Sequence, residues 1–147
     1  MVKKISFSSS AAPALLLLLL MVSSTWAQRG GRLHYSNLFN PQTVGTVSGE
    51  VVRVAQVPAG SGADYCVQAV LNTPKGQITA ILAPKGYMEE HKLSIAPKDR
   101  VTVTGSFITI INKPFLLVTE MTGDRTMKLR EASGRPAWAT GDDWHVR

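Results

Sequence analysis

Residues that could carry chemistry are sparse in this chain of 147 amino acids. It has one cysteine, Cys66, and three histidines, His34, His91 and His145. No histidine stands near a serine in a Gly-x-Ser-x-Gly turn, and none is marked by its position as a base for the Cys66 thiol. Glu89 and Glu90 are adjacent, so on a helix their carboxylates point in different directions and do not form an acid–base pair. The sequence therefore predicts a protein that is not an enzyme.

The sequence also predicts no metal or cofactor site. His91 directly follows two glutamates, and His145 comes two residues after a pair of aspartates. Neither pattern repeats a histidine at i and i+4 or has the spacing of Cys/His zinc ligands. A metal-handling protein with an exposed site at His91 or His145 is kept as an alternative function. Covalent c-type haem is excluded because the chain has no Cys-x-x-Cys-His.

The C-terminal tail carries the most distinctive side chains. Residues 129–138 combine a turn-forming glycine, a rigid proline and Trp138. One interpretation is that Trp138 caps an open end of the fold, and another is that Trp138 and Trp144 contact a partner protein. With Arg135 on the same segment and Tyr87 on a predicted helix, these four residues are the candidate partner-binding residues. A small ligand is the alternative to a protein partner. The expected function is that of a non-enzymatic accessory protein that binds one of these in an envelope or redox system.

The positive charge of the chain is dispersed. The full sequence has 16 Lys and Arg against 10 Asp and Glu, and without Lys3 and Lys4 the balance is 14 against 10, or +4. A surface for nucleic acid or anionic membrane needs clustered charge. We therefore expect a solvated surface, and a module for single-stranded nucleic acid is kept only as an alternative function.

The first 27 residues have the features of a cleavable signal peptide. Lys3 and Lys4 give the positive start, an apolar run with six consecutive leucines follows, and small or polar residues lead to Ala27. The apolar run is only about 12 residues long, whereas a membrane-spanning helix needs about 20. We expect cleavage after Ala27 and a periplasmic or secreted protein. In that oxidising compartment Cys66 is either a small apolar filler or a thiol that pairs between chains.

The remaining chain is long enough for one domain with a core. We expect a flexible leader over residues 28–42, with Tyr35, Leu38 and Phe39 docking on the domain, then a domain over residues 43–131 and an irregular tail over residues 132–147. Short strand patterns with turn residues between them indicate six strands. They cover residues 44–57, 65–71, 77–82, 101–109, 115–121 and 126–130.

A short helix within residues 84–95 separates the third predicted strand from the fourth, with two turns over residues 87–93. Three strands, a helix and two further strands are the order of an OB-type barrel. The predicted fold is therefore all-β with one short helix, a five- to six-stranded OB-type Greek-key β-barrel. Closure of the barrel also removes exposed sheet edges.

Four segments resemble a bacterial family of small exported OB-like domains that includes the magnetosome-associated MamS and MamX proteins. They are residues 45–52, GTVSGEVV, 86–90, GYMEE, 99–106, DRVTVTGS, and 129–138, LREASGRPAW. The resemblance covers residues 43–138 and is more distant to the periplasmic bacterial OB-fold (BOF) group. It implies the fold and not a catalytic site. Haem redox chemistry in such proteins uses Cys-x-x-Cys-His, so it does not transfer to this chain.

Overall fold

The structure is a computed structural model that describes residues 35–58 and 65–141. In these residues there are six strands, one α-helix and two short 3-10 helices. The strands are β1 Val44–Pro58, β2 Tyr65–Thr73, β3 Gly76–Pro84, β4 Arg100–Ile110, β5 Lys113–Thr122 and β6 Thr126–Lys128. The helix α1 is Lys85–Glu90, and the 3-10 helices are Tyr35–Leu38 and Pro41–Thr43. The predicted signal peptide, His34, Trp144 and His145 lie outside the described residues.

The strands form a ring. Antiparallel pairing gives the order β3-β2-β1-β4-β5-β6, and a parallel pairing of β3 with β5 closes the first five strands on themselves. The spatial order β4-β1-β2-β3 is that of a Greek key. The prediction of an all-β barrel with one short helix is confirmed.

The long strand β1 belongs to two parts of the ring. Its first half, up to Glu50, pairs with β4, and its second half pairs with β2. At the change of partner, a Cβ atom on Gly49 would come within 2.6 Å of the Asn72 carbonyl oxygen. Glycine therefore lets β1 and β2 approach closely where the sheet curls, as its place within a valine-rich strand indicates.

Alternating side chains fill the inside of the barrel. On β4, Val101 and Val103 are buried while Thr102 between them is exposed. The inner core also takes alternate residues from β2, β3 and β5, among them Leu71, Ala80, Leu82, Leu116 and Val118. Burial of one such aliphatic side chain stabilises the fold by roughly 1.5–3 kcal/mol.

A second apolar cluster lies on the opposite face of the strands, because successive side chains of a strand point to opposite faces. This outer cluster consists of Cys66, Ile81, Ile108 and Leu117. Tyr35, Leu38 and Phe39 pack against it, and Gln68 Nε2 donates a hydrogen bond to the Tyr35 hydroxyl at 3.2 Å. The first 3-10 helix thus covers the outside of the barrel next to the β3–β5 pairing.

The helix α1 is shorter than predicted and ends at Glu90 instead of continuing to Leu93. The reason is a Schellman motif: the Leu93 amide donates to the Met88 carbonyl at 2.8 Å, and the Lys92 amide donates to the Glu89 carbonyl at 3.1 Å. Lys92 has a φ of 52°, in the left-handed region where a helix commonly stops. Met88 and Leu93 both pack on the inner core, which fixes the end of the helix.

Candidate functional site

The two ends of the barrel differ in what covers them. The segment with α1 follows the end of β3 and precedes the start of β4, so it lies at one end, called here the helix end. The β2–β3 and β4–β5 turns lie at the opposite end, called here the turn end. The candidate partner-binding residues that the structure describes, Tyr87, Arg135 and Trp138, belong to α1 or to the tail that packs beside it.

A series of aromatic rings lies at the helix end. The Tyr87 ring centroid is 4.2 Å from that of His91 and 5.3 Å from that of Trp138. The Cζ atom of Arg130 lies 4.9 Å from the centroid of the Trp138 ring, in the position of a cation–π contact. His91 is exposed, Tyr87 and Trp138 are half-buried, and Arg130 is only 3% exposed. These four side chains, called here the aromatic stack, run from the solvent to a buried positive charge.

Arg130 holds the stack against the barrel. Its Nη1 donates to the carbonyl oxygens of Leu82 at 2.9 Å and Val118 at 2.5 Å, one from β3 and one from β5. The parallel ladder between these strands ends one residue earlier, at Ile81 and Leu117. The guanidinium thus bridges the two strands where their own hydrogen bonds stop.

The charge of Arg130 is costly in this place. Burial lowers the pKa of Arg130 to about 10, and the interaction with Cys66 opposes that change in part. Among the described residues, no carboxylate forms a salt bridge with Arg130, and its Nε has no hydrogen-bond partner. The guanidinium is therefore stabilised by carbonyl oxygens and the Trp138 ring and not by a salt bridge with a described carboxylate.

The tail turns back sharply before it reaches Trp138. The Ala137 amide donates to the Leu129 carbonyl and the Glu131 amide to the Arg135 carbonyl, both at 2.9 Å. Gly134 in the turn has a φ of +89°, and a side chain there would collide with the Phe39 ring. The tail is thereby fixed between the leader and α1.

The candidate residues fall into three groups. Tyr87 and Trp138 come together in the aromatic stack. Arg135 lies on the tail turn, where its guanidinium contacts Glu131 at 3.9 Å and donates to the Gly141 carbonyl at 3.2 Å. Trp144 lies outside the described residues. Sequence reasoning missed Arg130, because an arginine after a short strand resembles any solvated charge.

The chemical groups considered from the sequence are separated by burial. Cys66 is 6% exposed in the outer cluster, and His91 is exposed on the stack. Burial raises the pKa of the Tyr35 phenol above its usual value, and Cys66 adds to that effect. Within residues 35–58 and 65–141, no three His, Cys, Asp or Glu side chains are grouped closely enough to hold a metal ion.

The comparisons with known proteins identify one family. In the part of the chain that the structure describes, no helix is both long and apolar enough to cross a membrane. A search of curated proteins finds no match. The model of the MamS/MamX magnetosome protein family matches residues 43–127, more than half of the chain and all six strands except the last residue of β6. The chain therefore belongs to the MamS/MamX magnetosome protein family.

Proposed function

We propose that this protein is an exported, non-enzymatic accessory protein that binds a partner protein through the aromatic stack at the helix end. The observation that carries the proposal is the exposure gradient of the stack, from the exposed His91 to the buried Arg130. The signal peptide predicted over residues 1–27 supports export.

Aromatic side chains held in one orientation are well suited to protein recognition. Tyr and Trp contribute large contact areas at low cost in conformational entropy, and they are enriched among residues that dominate binding energy. Tyr87 is fixed by the neighbouring rings on both sides, and Trp138 is fixed by Arg130. A partner would therefore meet a surface that is already ordered, which lowers the entropic cost of binding.

The absence of catalysis is proposed from the placement of the candidate groups. Cys66, the one thiol, is covered by the leader, and His91 is engaged with the Tyr87 ring. A nucleophile needs access to substrate and a base within hydrogen-bond reach. The buried position of Cys66 favours its interpretation as an apolar filler.

The alternative functions have less support. Proteins that bind single strands stack bases on aromatic side chains, and Tyr65 is the one aromatic residue on β2 and β3. Binding of a protein partner gives the aromatic stack a role, whereas a metal-handling function does not. Low-salt titration with oligonucleotides and calorimetry with Cu²⁺ and Zn²⁺ distinguish these functions from the proposed one.

Site-specific photocrosslinking in the source organism tests the proposal. A photoreactive amino acid at position 91 is expected to give a protein adduct of defined mass, and the same amino acid at the exposed position 128 on β6 is not. The adduct from position 91 should disappear when Trp138→Ala is added, with thermal melting as the check on folding. No adduct, or equal adducts from both positions, would contradict the proposal.

A further inference from the structure

The turn end of the barrel contains a cavity of about 440 Å³. It opens to solvent between the start of β1, the β2–β3 turn and the region where β4 leads into β5. Cavities of about 300–1,000 Å³ lined by apolar groups with a few polar ones are typical of small-molecule sites. The cavity lies at the opposite end of the barrel from the aromatic stack.

Apolar side chains form most of the wall of this cavity, and Thr46, Thr73 and Gln77 are the neutral polar residues that line it. Val47 and Ile78 line it and also pack on the inner core, so the floor of the cavity is continuous with the core. Phe107 and Pro114 line the sides. The Phe107 ring lies on Gly45, where a Cβ atom would be 2.7 Å from the ring atom Cε2, and it is 39% exposed. An apolar ligand would cover this exposed ring.

A single charged group stands at the rim. Lys75, in the β2–β3 turn, lines the cavity, and no Asp or Glu is among the described residues that line it. The described carboxylates form salt bridges only with Lys85 and Arg135, so none forms a salt bridge with Lys75.

The turn that carries this lysine is held in place. The Thr73 hydroxyl donates to the Gly76 carbonyl at 2.7 Å and accepts from the Lys75 amide at 3.3 Å. The backbone that presents the cation is therefore fixed before any ligand arrives, and only the side chain must adjust.

We propose that the turn-end cavity binds a small amphipathic carboxylate whose apolar body enters between Phe107 and Ile78 and whose carboxylate pairs with Lys75. The apolar part of the lining favours an apolar body, and a lysine that forms no salt bridge with a described carboxylate favours a negative head group. This site is separate from the aromatic stack, so it stands or falls independently of the proposed partner binding.

NMR titration of the ¹⁵N-labelled full chain tests the site with 4-phenylbutyrate as the probe and its neutral amide as the comparison. The carboxylate is expected to bind saturably with a Kd below about 1 mM. Shift changes should be confined to residues 45–47, 73, 75–78 and 107, the amide-bearing part of the lining. The amide should bind more weakly, because it cannot form the ion pair.

Two variants separate the head-group contact from the apolar contact. Lys75→Glu should weaken the carboxylate about tenfold, since an attraction becomes a repulsion, and leave the amide unchanged. Phe107→Ala should weaken both ligands. Lys128→Glu is the matched control, because it makes the same charge change at an exposed lysine of β6 that does not line this cavity.

Three results would overturn the proposal. They are shift changes spread over the whole barrel, equal affinity for the carboxylate and the amide, and equal weakening by Lys128→Glu and Lys75→Glu. Thermal melting of each variant shows whether a loss of binding reflects a loss of fold. Because Lys75 and Phe107 are exposed, both variants should melt within a few degrees of the wild type.

Discussion

The helix end and the turn end of this barrel are closed in different ways. At the helix end, α1, the tail and the buried Arg130 cover the core, and the guanidinium bridges β3 and β5 beyond their own ladder. At the turn end, two tight turns leave a cavity whose wall includes the exposed Phe107. The helix end is thus closed by contacts between residues far apart in the sequence, whereas the turn end is formed by local turns.

The two ends are expected to contribute differently to stability and to binding. A buried charge that satisfies carbonyl oxygens from two strands is hard to replace, because its loss leaves acceptors without donors in a place that water does not reach. A half-exposed ring over a glycine contributes less to folding and is free to contact a ligand. We therefore expect substitutions at the helix end to cost stability and those at the turn end to alter binding.

The largest effect is expected from Arg130→Met. This change keeps most of the apolar volume but leaves the Leu82 and Val118 carbonyls without their donor and Trp138 without its cation. Each unsatisfied buried group costs roughly 1–3 kcal/mol, so the free energy of unfolding should fall by about 3 kcal/mol. Urea denaturation measures it. Arg135→Met, at a half-buried arginine whose side chain forms its salt bridge and hydrogen bond within the tail, is the control and should cost under about 1 kcal/mol. If both variants lost a similar free energy of unfolding, the hydrogen bonds of Arg130 to β3 and β5 would have no special role in stability.

A smaller difference is expected between two aromatic truncations. Trp138→Ala removes the ring that lies against both Tyr87 and Arg130, and it should cost about 2–3 kcal/mol. Phe107→Ala removes a ring that is 39% exposed and lies on Gly45, and it should cost about 1 kcal/mol. Urea denaturation of the two variants under the same conditions checks the order. If Phe107→Ala were the more destabilising, the turn end would be part of the stabilising core.

The buried charge also predicts a dependence on alkaline pH. Because burial lowers the pKa of Arg130 to about 10 in the folded state, below the pKa of an exposed guanidinium, the unfolded state binds more protons between the folded-state and unfolded-state pKa values. Stability due to this group therefore rises with pH in that window. From pH 9 to 11, the stability of the wild type relative to Arg130→Met should increase by about 1 kcal/mol. A constant difference across this range, measured by urea denaturation, would mean that the guanidinium is not penalised by burial.

The sequence predicts the positions of the strands better than it predicts the side chains that cover the ends of the barrel. Apolar and polar residues alternate on β4, with Val101 and Val103 inside the barrel and Thr102 outside. This pattern is local in the sequence, and it predicts the ends of the strand to within one residue. The place of Arg130 depends on β3, β5 and Trp138, which are far apart in the chain and meet only in the closed ring. No local pattern distinguishes this arginine from a solvated one.

The contacts of the candidate residues also depend on residues far apart in the sequence. The sequence offers Tyr87 on the predicted helix and Trp138 in the irregular tail as large aromatic residues, but it does not show that the two rings are in contact. The helix α1 ends at Glu90 instead of Leu93 because Lys92 adopts a left-handed backbone conformation. A lysine in the sequence does not predict that conformation. The turn-end cavity also escaped sequence reasoning, because Gly45, Lys75 and Phe107 lie in three separate elements.

The smallest expected effect compares backbone strain at the two ends. Lys92 at the helix end has a φ of 52°, and Ile111 in the β4–β5 turn has a φ of 47° and is 90% exposed. Glycine relieves the strain at either position, but a β-branched residue suffers more in this region than a lysine does. Ile111→Gly should therefore raise the free energy of unfolding by about 1 kcal/mol and Lys92→Gly by about half of that, after the entropy that glycine adds to the unfolded chain is subtracted. Thermal melting of both variants measures the order. A loss of stability from Ile111→Gly would mean that the isoleucine makes a contact that compensates its strain, and the turn end would then be more than a local turn.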